Sequence, residues 1–447
     1  MPTELLVEIF DMCAPSCANS IGDDDTEDME VERLAKTHLL QLSSACYRWQ
    51  QIVITSPTLW STIVTDTDLW DQTYIDTELL LRRLELSLER GANSPLIMQL
   101  GLPHDDDDDD LESSILELVI SHATRWRDVH LWIKPSSVEL LAKMRGHFPR
   151  LESLSLCASI SCLYPPGPAV FDLAPRLRNL TLAGWPARLP ELPWPQLLDV
   201  RFQKDDSSAI TSGLDILSLL HKGAQYRMYI NCAPVSLGNL VWKPIVSHLS
   251  IFKIGFSGVV DSSVTQATLR SMLESITMPS LRELYIRRDP TGPPSFWPHC
   301  AFLSFTTRSC LSTHLTDLEL HAVIQDRELI QCLELLPLLQ RLLLYDCEDH
   351  NGHTVITDLL LDRLVYTRGE PNLVPLLEYS YIRTILRFSD ESLDRFIRSR
   401  VGIPEETLEI DFALPPTRER AFSSEFLAQM EELQEREEFF FSIEDDA

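Results

Sequence analysis

The densest cluster of side chains able to do chemistry is Cys347, Glu348, Asp349, His350 and His353, a set of thiol, carboxylate and imidazole donors of the kind that holds zinc. The same segment contains Asn351 and Gly352 and follows the apolar stretch LQRLLLYD, so it reads as a solvated turn. The run Asp105 to Asp110 would suit a cation or imitate an acidic signal, but adjacent like charges also repel one another into a solvated loop. The 10 cysteines include no Cys-x-x-Cys pair, and the tightest spacings are Cys13 to Cys17 and Cys157 to Cys162. They read as small buried hydrophobes in a reducing compartment, with no metal expected. Enzyme chemistry finds no support. A Gly-x-Ser-x-Gly elbow, a phosphate loop, a dinucleotide glycine fingerprint and His-Glu-x-x-His are all absent from a chain with 15 glycines. No carboxylate pair stands out as an acid and a base, and neither catalysis nor a cofactor is expected.

Charge narrows the partners. Asp and Glu outnumber Lys and Arg by 67 to 38, a net charge of -29, whereas nucleic-acid strands are held by clustered cations. Nucleic acid is therefore not an expected partner, and a target with a basic docking segment is. The start MPTELLVEIFD has acids where a signal peptide has a basic region, and no run of about eighteen uncharged apolar residues occurs. The expectation is a soluble intracellular protein, cytoplasmic or nuclear or both, with no membrane partner. At 447 residues and 44% hydrophobic content the chain can bury a large core, and a small module plus a larger body is the natural division.

The elements that would position any site begin with two amphipathic stretches. Leu5, Leu6, Ile9 and Phe10 recur at helical spacing behind Pro2, and Leu39, Leu42, Cys46, Trp49 and Val53 do the same until Pro57 closes the pattern ahead of Leu59 and Trp60. Periodicity alone describes an ordinary helical hairpin burying its own core. Its loop carries GDDDTEDMEVE, which is too charged to bury and reads as a disordered insertion.

Beyond residue 125 a second pattern takes over. Segments of the form L-x-x-L-x-L start at Leu151, Leu177, Leu197, Leu281, Leu315 and Leu339, with looser copies VSHLSI, LDRLVY, LEYSYI and TLEIDF starting at Val246, Leu361, Leu377 and Thr407. Each begins like a leucine-rich repeat, in which a short strand turns alternate leucines inward. The spacers fit return helices: SSAITSGLDILSLLHKG stops at Gly223, while TLRSMLESITMPS and RELIQCLELLP end in prolines just ahead of the next strand. The asparagine of such repeats is replaced by Ser159, Trp185, Asp289 and Val323, with Cys347 as the one fit, so no regular asparagine ladder is expected. Between the two patterns, Leu79 to Gly91 reads as a helix, SPLIMQLGL as a first strand, and SILELVISHATRWRDVHLWI as a helix running into a strand at Val129. The end of the chain, SSEFLAQMEELQEREEFFFSIEDDA, reads as a possible helix followed by an acidic tail that caps the last repeat or stays free.

Taken in order, the Pro-x-Glu-Leu-Leu start, the Ile9–Phe10 pair, the Arg48–Trp49 pair and the Ser-Pro-x-Leu-Trp ending resemble the F-box of the large families found in mushroom-forming fungi. The resemblance covers residues 1–60. Together with the recurring segments and their spacers, it gives the expectation of an α/β chain: an all-helical F-box with an acidic loop insertion over 1–65, a linker with the first repeat elements over 66–128, an irregular leucine-rich-repeat solenoid with a curved parallel sheet and convex-side helices over 129–420, and an acidic tail over 421–447. It further implies a non-catalytic substrate-recognition subunit of an SCF-type cullin-RING ubiquitin ligase. Pro2, Leu5, Leu6, Ile9 and Phe10 would dock on the Skp-type adaptor, and through it the cullin, with Leu42, Trp49 and Trp60 as supporting contacts or as hairpin core. The repeats would hold an unknown target protein at outward strand positions such as Glu152, Arg178, Arg282, Glu283, Asp317 and Arg341. A leucine-rich scaffold acting without a ligase, its hairpin packed on its own body, is the competing reading.

Overall fold

The computed structural model describes residues 1–12, 39, 41–65, 77–101, 109–133, 138–141, 148–158, 171–184, 191–204, 208–231, 243–257, 262–288, 297–346, 355–401, 408–414, 420–435 and 439–445. The chain is α/β and divides into two compact units, Met1–Gln203 and Lys204–Ala447.

The first unit opens with α1 (Thr3–Met12), a short helical run over 41–45, α2 (Tyr47–Thr55) and a 3-10 turn at Pro57–Trp60. Strands β1 (Thr62–Thr65), β2 (Leu96–Gly101), β3 (Trp126–Ile133), β4 (Ser153–Ala158), β5 (Asn179–Ala183) and β6 (Asp199–Lys204) follow. Each pairs in parallel with the next in the chain. Helices α3 (Thr77–Arg90), α4 (Asp109–Ile120) and α5 (Val138–Leu141) lie between them.

The second unit holds α6 (Ser208–Leu219), β7 (Gln225–Asn231), β8 (Ile245–Val246), β9 (Ile251–Ser257), α7 (Ser262–Ser275), β10 (Ile276–Thr277) and β11 (Glu283–Arg288). It continues with α8 (His299–Arg308), β12 (Asp317–His321), α9 (Asp326–Glu334), β13 (Arg341–Tyr345), α10 (Asp358–Leu364) and β14 (Tyr379–Arg383), and ends with α11 (Asp390–Arg400), β15 (Leu408–Leu414), α12 (Ser424–Gln434) and β16 (Phe439–Asp445). Its main sheet runs β7-β9-β11-β12-β13-β14-β15-β16, all parallel, and β8 pairs separately with β10.

The L-x-x-L-x-L spacing produces this order for a physical reason. Its first leucine (Leu151, Leu177, Leu197, Leu281, Leu315, Leu339) is fully buried before the strand starts, and the other two, as in Leu154 and Leu156 or Leu318 and Leu320, face the core at strand period. The residue after that first leucine uses its carbonyl twice. Glu152 O accepts the amides of Arg178 and Asn179, Arg282 O those of Thr316 and Asp317, and Gln340 O those of Glu378 and Tyr379, so one strand's start sets the next one's register.

Two side-chain devices tie the helices. Arginines take the role of C-cap for a helix of the preceding repeat: the buried Arg125 donates to Leu88 O at 2.9 Å, the half-buried Arg308 to Leu273 O at 2.5 Å and the buried Arg400 to Leu364 O at 2.9 Å. Arg400 also holds the carbonyl of Val374, whose φ of 41° is a left-handed conformation that a β-branched residue adopts only under such constraint. At the other helix ends, a Ser or Thr cap bonds to the first acid of the preceding helix: Thr357 to Asp326 at 2.9 Å, Ser389 to Asp358 at 2.8 Å, and the Ser423 amide to Asp390 at 3.0 Å.

Several expectations change. LDRLVY lies in helix α10 and its exit, not in a strand, because Leu360, Leu361 and Leu364 all face the core behind the Thr357 cap. A strand appears already at Thr62, inside a stretch read as the hairpin end, while the strand expected in SPLIMQLGL is present as β2. The acidic tail contains β16, a parallel neighbour of β15. The backbone of Asp109 and Asp110 belongs to α4 and does not extend a loop. The second amphipathic stretch breaks at Cys46, which is extended (φ −163°) and starts α2 afresh through Gln50 N to Cys46 O, while Ser44 bonds back to Gln41 O. Of the described cysteines, Cys157 and Cys332 are buried as expected, whereas Cys46, Cys300 and Cys310 are exposed.

Candidate functional site

The amino-terminal hairpin gathers the residues expected to dock and sorts them by face. Leu6 and Phe10 on α1 meet Ile52 and Val53 on α2 and Leu59 and Trp60 of the 3-10 turn in one core, with Val7, Leu39, Leu42 and Trp49 at its margin. The Phe10 and Trp49 rings meet edge to face at 5.0 Å. Trp60 is anchored by its indole N–H on Val53 O at 2.6 Å, and the Arg90 guanidinium lies 4.5 Å over its ring, so this residue also ties the hairpin to α3. Arg48 reaches back to Met1 O and fixes the chain start against α2.

Leu6, Phe10 and Trp60 are therefore core, and Leu42 and Trp49 are half-buried flanks. Pro2, Leu5 and Ile9 remain on the surface, with Leu5 48% and Ile9 37% exposed. Met12 and Met1, which were not singled out in the sequence, extend the same exposure at 78% and 68%, and Tyr47 stands out at the start of α2 at 75%. The signal for Met12 was its spacing of three from Ile9 and seven from Leu5. Leu5, Ile9 and Met12 thus form an apolar stripe about 100° round the helix from the stripe of Leu6 and Phe10. This arrangement cannot transfer protons or activate a nucleophile. It can bury apolar surface against a partner, each large side chain contributing roughly 1.5–3 kcal/mol when fully covered.

The outward strand positions fall in two groups. Glu283, Asp317 and Arg341 are the first residues of β11, β12 and β13 and share a row, with Arg341 3.5 Å from Asp317. Glu152, Arg178 and Arg282 precede their strands at the double carbonyl acceptors described above. Cys347 to His353 lie outside the described residues, as do residues 13–38 and Asp105 to Asp108. Among the described residues, no group of three His, Cys, Asp or Glu side chains could hold a metal, and no helix is long and apolar enough to cross a membrane. No protein-family model and no curated protein matches this chain.

Proposed function

We propose that the chain is the substrate-recognition subunit of an SCF-type ubiquitin ligase, its amino-terminal hairpin being an F-box that docks on the Skp-type adaptor and its strand-helix repeats, read as an irregular leucine-rich solenoid, holding the target. The observation that carries the proposal is the exposed stripe Leu5, Ile9 and Met12 on a helix whose other stripe is locked into the hairpin core. A hairpin that only closed its own body would have no use for three large apolar side chains in water. In this role the chain contributes position, raising the effective concentration of a target lysine near the ubiquitin thioester, and the chemistry belongs to the assembled complex. The proposed compartment is the cytoplasm, the nucleus or both.

Adaptor capture tests it. Leu5→Glu with Ile9→Glu places charge on the stripe only, so capture of a purified Skp-type adaptor is expected to fall more than tenfold while the thermal transition of the full chain stays in place. Leu6→Glu instead buries a charge in the hairpin core and is expected to lower the stability of the hairpin itself. Undiminished capture by the double variant would leave the scaffold reading in possession.

A further inference from the structure

The last strand of the second unit's main sheet carries a hydroxyl set among acids. Among the described residues β16 pairs with β15 alone, so one side of the strand has no neighbour. Side chains alternate along it. Phe439 is buried, and Phe441 lies against the rings of Phe412, Phe422 and Phe426 at 5.7, 6.2 and 5.9 Å. Phe440, Ser442 and Glu444 are exposed on the opposite face. There Ser442 Oγ donates at 2.5 Å to Asp411 Oδ1, its register partner on β15, and the Tyr379 hydroxyl donates to the other oxygen at 3.0 Å.

The charges around that hydroxyl have one sign. Asp411 stands opposite it, Glu409 two residues before Asp411, and Glu444 two residues after Ser442, all on the same face. Strands β15 and β16 carry no Lys, Arg or His. On β14, Arg383 pairs with Ala413, which puts its backbone two strands and one row from Ser442, about 12 Å away by strand geometry. The site therefore suits a hydrogen-bond donor and is hostile to an anion.

We propose that Ser442 is a phosphorylation site for an acid-directed protein kinase, and that its phosphate loosens β16 from β15. The proposal goes beyond the receptor reading and does not depend on it. Glu444 and Asp445 follow Ser442 at the second and third places, where a kinase with a cationic peptide groove finds the carboxylates by which it selects a substrate. In the transfer, Ser442 Oγ bonds to the γ-phosphorus of ATP as the bond from that phosphorus to the bridging oxygen of the β-phosphate breaks. ADP leaves, and the hydroxyl proton passes to the kinase's catalytic carboxylate. An edge strand opens more readily than one paired on both sides, so the kinase takes Ser442 in the open form. Phosphate then replaces a donor by a group of charge about -1.5 to -2, which repels a neighbouring carboxylate. Redocking would press it against Asp411, so the open form gains population. Opening also breaks the bond of 2.7 Å from Gln434 Nε2 of α12 to Phe441 O and uncovers the rings of Phe412, Phe422 and Phe426.

The test incubates the full chain with ATP and casein kinase 2, an acid-directed kinase, and locates phosphate by peptide mass spectrometry. Phosphate is expected on Ser442. Hydrogen exchange over 439–443 is then expected to be at least tenfold faster in the phosphorylated chain than in the untreated one, with exchange in β12 and β13 unchanged. Ser442→Ala treated identically keeps phosphate at any other site, and is expected to exchange as its untreated form does. Asp411→Asn removes the opposing charge and keeps an acceptor for the Tyr379 hydroxyl, and phosphorylation of that variant is expected to speed exchange less than threefold. No phosphate on Ser442, exchange in β16 unchanged by the phosphate, equal acceleration in treated Ser442→Ala, or equal acceleration in Asp411→Asn would each overturn the proposal.

Discussion

Asp346 shows how much one side chain can set by where it sits. It follows β13, is buried, and accepts the Val355 amide and the Thr384 hydroxyl, each at 2.6 Å, which ties the ends of two successive repeats together. Burial is the largest influence on it and pushes its pKa up to about 6, against the pull of those hydrogen bonds. A folded pKa above the unfolded value of 3.8 means that the protonated form stabilises the fold, a contribution complete below about pH 4 and lost as pH rises through 6. Between pH 5 and pH 7.5 that amounts to roughly 1.4 kcal/mol. Asp346→Asn keeps an acceptor for the Val355 amide and removes the titration, so urea unfolding of the variant is expected to lack this share of the wild-type difference between the two pH values. An identical difference in both proteins would place the effect elsewhere. The residue is nearly legible in the sequence: the repeat asparagine position, three residues after the last strand leucine, is Cys347, one place beyond the side chain that satisfies the interior.

At the scale of elements, the carboxyl-terminal repeats are joined at their helix starts as well as through their strands. Ser389 accepts the Ser392 amide at 3.2 Å as the cap of α11 and donates to Asp358 Oδ1 at 2.8 Å, the first residue of α10. Asp358 is held below the ordinary aspartate pKa, first by the Ser389 backbone amide, so the cap and the acid stabilise each other across two repeats. Ser389→Ala is expected to cost about 1 kcal/mol as a lost cap, and Asp358→Ala a similar amount. A double-mutant cycle is expected to return a coupling of at least about 0.5 kcal/mol, and simple additivity would show that the lateral bond carries nothing. LDRLVY fits a strand by its sequence although it folds as helix, since Leu361 and Leu364 satisfy both an L-x-x-L strand start and one turn of helix. The opposite error hid β7: its core side chains are Tyr226, Met228 and Ile230, which alternate perfectly well but contain no leucine. β1 escaped because four residues directly after Trp60 look like the end of the hairpin, and only pairing with β2 makes them a strand. In α1 the stripe was legible but its division was not, since helical spacing alone does not say which of Leu5 and Leu6 meets Trp60 and which meets water.

At the scale of the whole molecule, charge has to be read twice. The net value of -29 counts runs such as Asp23 to Asp25, Asp105 to Asp110 and Glu435 to Glu438, and it sets the field that a distant ligand meets. At contact, charge is set pair by pair through strand register, as where Arg287 meets Glu319 at 2.7 Å and Arg341 lies 3.5 Å from Asp317, and no composition could have shown those pairs because separate repeats assemble them. Salt acts unequally on those two terms, because the Debye length is about 30 Å at 0.01 M and about 8 Å at 0.15 M, while paired groups a few ångströms apart are screened less.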